Sequence, residues 1–318
     1  MLLANYITID GGTTNTRINL VLGGKVVGAV KMSIGAKHNV SGNAEYKRQI
    51  KVAIKTLLDN NGIAEGNICS ILCSGMITSE YGLSELPHTD LPCGIKKLHD
   101  TMQRTKIEDI SPIPFVFVRG IKADCTSIAT SDMMRGEETE LMGLSESLSA
   151  NNLYVLPGSH SKHIMTDDAG RICDFHTEFT GELIEAVAKN TILKDIIMLD
   201  YADLDFASLQ EGFEYCCENG VNAAFFKVRT LKTLFGYSLL ECTSFFIGAA
   251  MCSEIKNIIK SYAKKVVIGG RKQLRQSMEY LIKENSGKEV FAVSEEDSAN
   301  ATTYGIIKIF EYGEKTYE

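Results

Sequence analysis

Apolar and polar residues fall along this chain in an order that occurs twice. Tyr6-Ile7-Thr8-Ile9 is a short apolar run ending at Asp10, a turn of small residues follows, and Arg17-Ile18-Asn19-Leu20-Val21-Leu22 then alternates as a half-buried strand does. Gly23-Gly24 predicts a tight hairpin into a third strand over 25–34. Ile50, Ile54, Leu57 and Leu58 share one face of a helix expected over 43–60, with Gly62 as its cap. Short strands are expected at 68–73 and at 115–118, the latter preceded by Pro112 and Pro114, and a helix runs from near Gly136 towards Ser147.

The second passage begins with the buried run Leu153-Tyr154-Val155-Leu156 and the turn at Pro157-Gly158-Ser159. Strands over 162–166 and 171–179 are joined by a turn at 167–170, and a helix starts at Thr180 with Leu183, Val187 and Ile192 among its apolar positions. Strand, small-residue turn, strand, glycine turn, strand and helix therefore recur, although the two halves share almost no identical residues; the repeat is one of architecture. Residues 201–260 read as mostly helical, 239–259 most strongly. A strand at 266–268 delivers Gly269-Gly270 to a helix over 271–283, then come a strand at 289–293 and a helix at 298–312. This is an α/β pattern. At 318 residues the chain exceeds the usual single core, so two domains are expected, 1–150 joined by the helix of 298–318, and 151–297, with a compact hinge near Ala150.

Composition narrows the classes. With 44% hydrophobic and 23% charged residues the chain has enough apolar mass for a packed core, which excludes disorder and fibres. A net charge of -7 argues against a broad nucleic-acid footprint. Nine cysteines, an odd count without a CxxC pair, read as free thiols in a reducing cytoplasm. The amino end lacks a basic region and runs into a strand, so no signal peptide is expected. The best apolar run, 245–252, is far short of the roughly 20 residues that cross a bilayer.

Three stretches carry chemistry. In Asp10-Gly11-Gly12-Thr13-Thr14-Asn15 a carboxylate ends a strand, glycines let a phosphate approach the backbone, and N–H groups with hydroxyls supply donors; Asp10 suits Mg²⁺ held through water. Taken alone it is also an ordinary hairpin turn. Gly158-Ser159-His160-Ser161-Lys162 offers the same devices plus a cation, against the bland reading of a hairpin with Lys162 solvated at its rim; zinc is not expected at His160 and His163, which lack further ligands nearby. Between them lies Asp132-Met133-Met134-Arg135-Gly136-Glu137-Glu138. Arg135 suits a bidentate bond to a carboxylate or phosphate, and Glu137 or Glu138 suits a general base, although acidic residues also favour a helix start for its dipole alone. Gly269-Gly270 leaves room for a flat group such as adenine, or is simply a strand-to-helix turn, and Thr180-Gly181-Glu182 can be no more than a helix cap. No GxxxxGK[ST], no GxGxxG after the first strand and no HRD or DFG set occurs, which removes P-loop, Rossmann and protein-kinase readings.

The turn at Asp10–Asn15 resembles the first phosphate turn of the actin/hexokinase/Hsp70 superfamily. Together with Met134–Thr139, Leu153–Lys162 and Thr180–Leu183, the chain is similar to the 2-dehydro-3-deoxygalactonokinase family over nearly its whole length. The resemblance implies two ribonuclease-H-like (actin-like ATPase) domains flanking a central cleft that closes on substrate. It implies ATP- and Mg²⁺-dependent phosphorylation of the 6-hydroxyl of 2-dehydro-3-deoxy-D-galactonate in galactonate breakdown. On that footing Gly12, Thr13, Thr14 and Asn15 hold one end of the triphosphate, with Gly11 beside them, and Gly158, Ser159 and His160 hold the other. Asp10 supports the metal, Lys162 or Arg17 offsets charge on the transferring group, and Gly269 and Gly270 lie near adenine. Arg135 takes the substrate carboxylate, with Thr180 and Glu182 also towards the substrate; Glu137, or else Glu138 or Asp132, accepts the hydroxyl proton. The family often carries Trp where Gly11 and His163 stand and Thr where Ser159 stands; this chain has no Trp. Two rival readings are a kinase of the same fold for another acid, such as 2-dehydro-3-deoxygluconate, and a non-catalytic ATP-dependent switch. No nucleic-acid or membrane partner is expected, and homodimer formation is left open.

Overall fold

The computed structural model describes residues 4–39, 42–144, 152–270 and 272–313. The expected hinge near Ala150, the end of the helix towards Ser147, and Arg271 lie outside them. Contacts divide the chain into two compact units: Met1–Leu148, Gly170–Asp174 and Ala299–Glu318 form unit 1, and Ser149–Ala169 with Phe175–Ser298 form unit 2.

Unit 1 opens with β1 (Tyr6–Gly11), β2 (Thr16–Leu22) and β3 (Lys25–Met32), followed by α1 (Ala44–Asn61) and β4 (Ser70–Gly75). Then come β5 (Thr89–Asp90), α2 (Ile95–Asp100), β6 (Gln103–Ile107), β7 (Ser111–Phe117), β8 (Ile121–Lys122), β9 (Met133–Met134) and α3 (Glu137–Leu144). The main sheet runs β3-β2-β1-β4-β7-β6, and β5-β8-β9 form a small second sheet. β2 lies antiparallel to β1, whereas β1, β4 and β7 are parallel, so the C-terminal ends of three adjacent strands share one edge. β1 is buried on both faces, as a central strand is, although Thr8 and Asp10 lie on one of them, whereas the edge strand β3 alternates half-buried with exposed positions up to the buried Met32. Ile7, Ile9, Ile18, Leu20, Ile71, Phe115 and Phe117 of the sheet pack with Ile50, Ile54 and Leu57 of α1. Each such side chain contributes about 1.5–3 kcal/mol by leaving water. Gly62 ends α1 in the left-handed region at φ 64°, where its N–H caps the last carbonyls.

Unit 2 holds β10 (Asn152–Leu156), β11 (Ser161–Thr166), β12 (Ile172–Glu178) from Phe175 onward, and α4 (Thr180–Asn190). A helical layer of α5 (Phe206–Asn219), α6 (Val221–Leu234), α7 (Leu239–Ala250) and α8 (Cys252–Lys260) follows, then β13 (Lys265–Ile268), α9 (Lys272–Asn285) and β14 (Glu289–Ala292). Its sheet order is β12-β11-β10-β13-β14, again with β10 parallel to β13 and β13 to β14. The central order of the first sheet is thus repeated strand for strand. α10 (Glu295–Phe310) then starts three residues earlier than the sequence pattern suggests, because Ser294 Oγ accepts from Asp297 N–H at 3.0 Å and caps it.

Three expectations shift. Residues 239–259 are two helices broken at Met251, and α7 is apolar on all sides because it is central to the helical layer. The buried ridge of α4 is Ile184 and Ala188, while Ile192 lies beyond the helix, 57% exposed. β6, Gln-Arg-Thr-Lys-Ile, has no strand pattern of its own and is held by antiparallel pairing with β7. Among the described residues no helix is long and apolar enough to cross a membrane.

Candidate active site

In unit 1 the turn after β1 is closed by a hydrogen bond from Gly12 N to Asn15 O at 2.8 Å, and the chain at 36–37 donates back to Gly12 O and Thr13 O. Among the described residues the N–H groups of Thr13, Thr14 and Asn15 have no partner, so the turn presents donors at an accessible rim. Asp10 pairs across the sheet with Arg17, whose guanidinium donates to Ala299 O at 2.8 Å. Loss of hydration pushes the Asp10 carboxyl up to about 6; Arg17 opposes the rise and Glu137 adds to it. A Cβ on Gly11 would lie 2.7 Å from Ile77 Cβ, so Ile77 fills the space beside this turn.

α3 brings the second group of residues to the same edge. Gly136, at φ 111°, packs on Gly75 at the end of β4, and Gly75 packs on Gly11 O in turn. The half-buried Glu137 accepts from Arg135 N–H through Oε2 at 3.1 Å. The Arg135 guanidinium donates to Thr78 O at 2.9 Å, Thr78 Oγ1 at 3.0 Å and Leu86 O at 2.8 Å. It is spent on protein acceptors, and a substrate carboxylate would have to compete with them. Asp132 lies before β9, with Oδ1 accepting from Met133 N–H at 2.7 Å.

Glu138 is fully buried. Its oxygens accept from Gly136 N at 2.8 and 3.0 Å, and Thr139 Oγ1, itself bonded to Ser74 Oγ at 2.7 Å, donates to Oε1 at 3.0 Å. Burial first, then Glu137, pushes its carboxyl up to about 8, against the hydrogen bonds that favour the anion. The folded protein therefore holds a proton here that the unfolded chain releases above its ordinary 4.5. That contribution is complete below about 4.5 and is lost as pH rises through about 8, a swing on the order of a few kcal/mol. Thermal midpoints measured from pH 5 to 9 are expected to fall by roughly 5–10 °C more in the wild type than in Glu138→Gln, whose neutral amide fits the same partners. Parallel curves would show that Glu138 is ionised in the folded state.

Unit 2 builds the corresponding turn. Ser159 O accepts from Glu182 N at 3.0 Å, and a side chain on Gly181 would overlap Gly158 O, so the turn at 158–160 lies directly on the start of α4. His160 Nε2 meets Glu182 Oε2 at 2.7 Å. Thr180 is turned inward instead, its hydroxyl donating at 2.6 Å to Glu254 Oε2. Glu254 is wholly buried and also takes Ser161 Oγ and, at 2.9 Å, His163 Nε2, so Thr180 anchors α4 to β11 and α8. Lys162 is only 3% exposed on β11 and is not a solvated rim residue. Gly269 N donates to Val155 O at 2.9 Å, and Gly270, at φ 71°, packs against Pro157 O.

Two glycines therefore hold equivalent places. Gly75 pairs with Gly11 in unit 1, and Gly270 continues the register that brings it beside Pro157 in unit 2; both have positive φ. The sequence reading singled out Gly269-Gly270 and passed over Ser74-Gly75. Carrying the repeat from the second half back to the first would have found it.

Known proteins agree with this architecture. A family model described as 2-keto-3-deoxy-galactonokinase matches residues 10–309. The chain is 25% identical over 258 residues, 80% of each chain, to the 2-dehydro-3-deoxygalactonokinase of Escherichia coli K12. It is 26% identical over 260 residues, 79% of each chain, to a Rhizobium meliloti protein described as the same enzyme. Among solved structures, a Sinorhizobium meliloti protein described as a 2-dehydro-3-deoxygalactonokinase superposes with a TM-score of 0.78 at 22% identity, covering 98% of both chains. Component A of the Acidaminococcus fermentans (R)-2-hydroxyglutaryl-CoA dehydratase shares the fold more distantly, with a TM-score of 0.51 at 12% identity over 97% of this chain and 98% of that one. With one strand order repeated in two sheets and a family match over residues 10–309, the chain belongs to the 2-keto-3-deoxy-galactonokinase family and is a kinase, a phosphotransferase of sugar metabolism.

Proposed function

We propose that the protein transfers the terminal phosphoryl group of ATP to the 6-hydroxyl of 2-dehydro-3-deoxy-D-galactonate. The observation that supports this reading is the packing of Gly11, Gly75 and Gly136, which brings Asp10 and the start of α3 with Glu137 to the C-terminal edge of β1, beside a turn whose N–H groups at Thr13, Thr14 and Asn15 have no partner among the described residues. Phosphoryl transfer asks a protein chiefly for positioning and charge stabilisation, and those are what this edge offers. Glu137, fixed by the Arg135 N–H, accepts the proton of the attacking hydroxyl. Thr13, Thr14 and Asn15 donate to phosphate oxygens in unit 1; Gly158, Ser159 and His160 serve phosphate in unit 2, where Gly269 and Gly270 offer a side-chain-free surface to the base. Arg17 leaves Asp10 partly offset in charge.

The residues fit Mg²⁺. Asp10 and Glu137 are both oxygen donors, and the ionisation of Asp10 is opposed by burial and by the nearby Glu137, a state that a hard divalent cation relieves. Asp10 would hold the ion through water, and the ion would neutralise charge on the phosphates. Nine free thiols suit a reducing compartment, and we place the protein in the cytoplasm. An ADP-release assay with Mg-ATP tests the substrate, using 2-dehydro-3-deoxygalactonate, its gluconate epimer, galactonate and a sugar-free control. The first compound is expected to give the highest kcat/KM; a higher value with another acid overturns the substrate.

A further inference from the structure

β7 ends at the same edge as β1 and β4, and no role has yet been given to what stands there. Val118 N–H donates to Cys73 O at 2.9 Å, so the pairing of β7 with β4 continues and Arg119 stands level with Gly75 and, one strand further, with Gly11. Adjacent strands are about 4.8 Å apart, which puts the Arg119 backbone roughly 10 Å from Gly11. Arg119 is half-buried. Its Nε is shielded from solvent without a hydrogen-bond partner, and its guanidinium bonds to none of the described residues. A shielded Nε–H with no acceptor is costly to keep, and the guanidinium that carries it is the group best shaped to receive a carboxylate in a fork.

His88 supplies a second donor nearby. Its ring lies against Gly120, the residue after Arg119, where a Cβ would come within 3.0 Å of His88 Cδ2 and 2.7 Å of Arg135 Cγ. Nδ1 faces Arg135 Nη2 at 3.5 Å and so acts as acceptor, which leaves the proton on Nε2, and Nε2 is likewise buried without a partner. Burial, then Arg135 and Lys122, lower the imidazole's basicity, so near neutral pH the ring offers a neutral N–H donor. Arg135, bonded to Thr78 and Leu86, fixes the segment that carries His88.

We infer that Arg119, with His88 Nε2 beside it, binds the carboxylate of the acceptor and is what makes this kinase select a sugar acid over a neutral sugar. This deepens the proposed function and rests on its reading of the substrate as a small acid. The geometry suits a six-carbon chain: its hydroxyl end reaches Glu137 and Asp10 near β1 while its carboxylate lies at the end of β7, two strands away.

The test is a cycle between protein and substrate. Wild type, Arg119→Gln and Arg119→Lys are assayed with whichever acid of the panel the wild type turns over best, and with the counterpart in which the carboxylate is a neutral hydroxymethyl group. In Arg119→Gln the preference for the acid, as a ratio of kcat/KM values, is expected to fall about 10- to 100-fold, through a raised KM for the acid, with Arg119→Lys between. The KM for ATP is expected to move less than about twofold. An unchanged preference overturns the inference, and so does a KM for ATP that rises as much as that for the acid, since Arg119 would then serve phosphate. Because the assay uses the best acid, a wrong epimer in the proposed function leaves the result readable. Thermal midpoints of the variants exclude loss of folding as the cause.

Discussion

Glu137→Gln is expected to lower kcat by about 100- to 10,000-fold, the range that a positioned general base contributes. The amide keeps the shape and the bond from Arg135 N–H at 3.1 Å, so folding and KM values should change little. What it loses is the capacity to take a proton. Two of the neighbouring carboxylates offer no ready replacement: Glu138 is fully buried, with its oxygens on Gly136 N, and is pushed up to about 8. Asp132 stands on the far side of β9, turned to Met133 N. Steady-state kinetics with a pH–rate profile checks this. A variant that keeps more than about a tenth of kcat would move the base to Asp10, whose carboxyl, at about 6, lies in the range a base needs.

Gly75→Ala should be as damaging by a different route. The residue has φ +87°, and an added Cβ would sit 2.5 Å from Gly11 O and 3.5 Å from Asp10 Oδ1. The positive φ alone costs on the order of 1–2 kcal/mol for a residue with a Cβ. The clash is with backbone in a fully buried β4, which cannot give way cheaply, so a total of about 3 kcal/mol or more is expected. Any relief displaces Gly11 or Gly136, and with them the turn after β1 and the start of α3. Urea unfolding and activity measured together decide it. A folded, fully active Gly75→Ala would mean that the edge is not packed as tightly as the glycines imply. Gly66 is the natural control, since a side chain there meets nothing within 4 Å.

Much of the fold could be read from the chain because its information is local. Central strands such as β1 and β10 are apolar runs ended by turn-formers, and α1 carries its own spacing and its own glycine cap. β6 could not be read, since a polar strand exists only through its partner β7, and two prolines in β7 hid the length of that partner. The chemistry-bearing turns were visible as residue types, but what each side chain does there was not. Arg135 looks like a ligand in sequence and is saturated by Thr78 and Leu86; Thr180 looks like a cap or a contact and bonds to Glu254. Arg119 is an unremarkable arginine after a strand until its lack of partners is known. Commitment of a polar group depends on neighbours far along the chain, and no spacing rule reports it.

The close crossing of α3 with α10 bears on how the protein is made. Side chains on Gly143 or Gly305 would overlap Ala301 O and Thr139 O, so the helix that presents Glu137 leans on one encoded some 160 residues later. Asn19 and Thr8 in the first strands likewise bond to Thr303. A ribosome adding about 5–20 residues per second therefore exposes an unfinished unit 1 for roughly 8–30 s between residues 148 and 299, while all of unit 2 is emerging. During that interval α3, which carries Glu137, lacks its seat on α10. The site proposed around Glu137 can therefore be completed only after α10 has been made, late in synthesis.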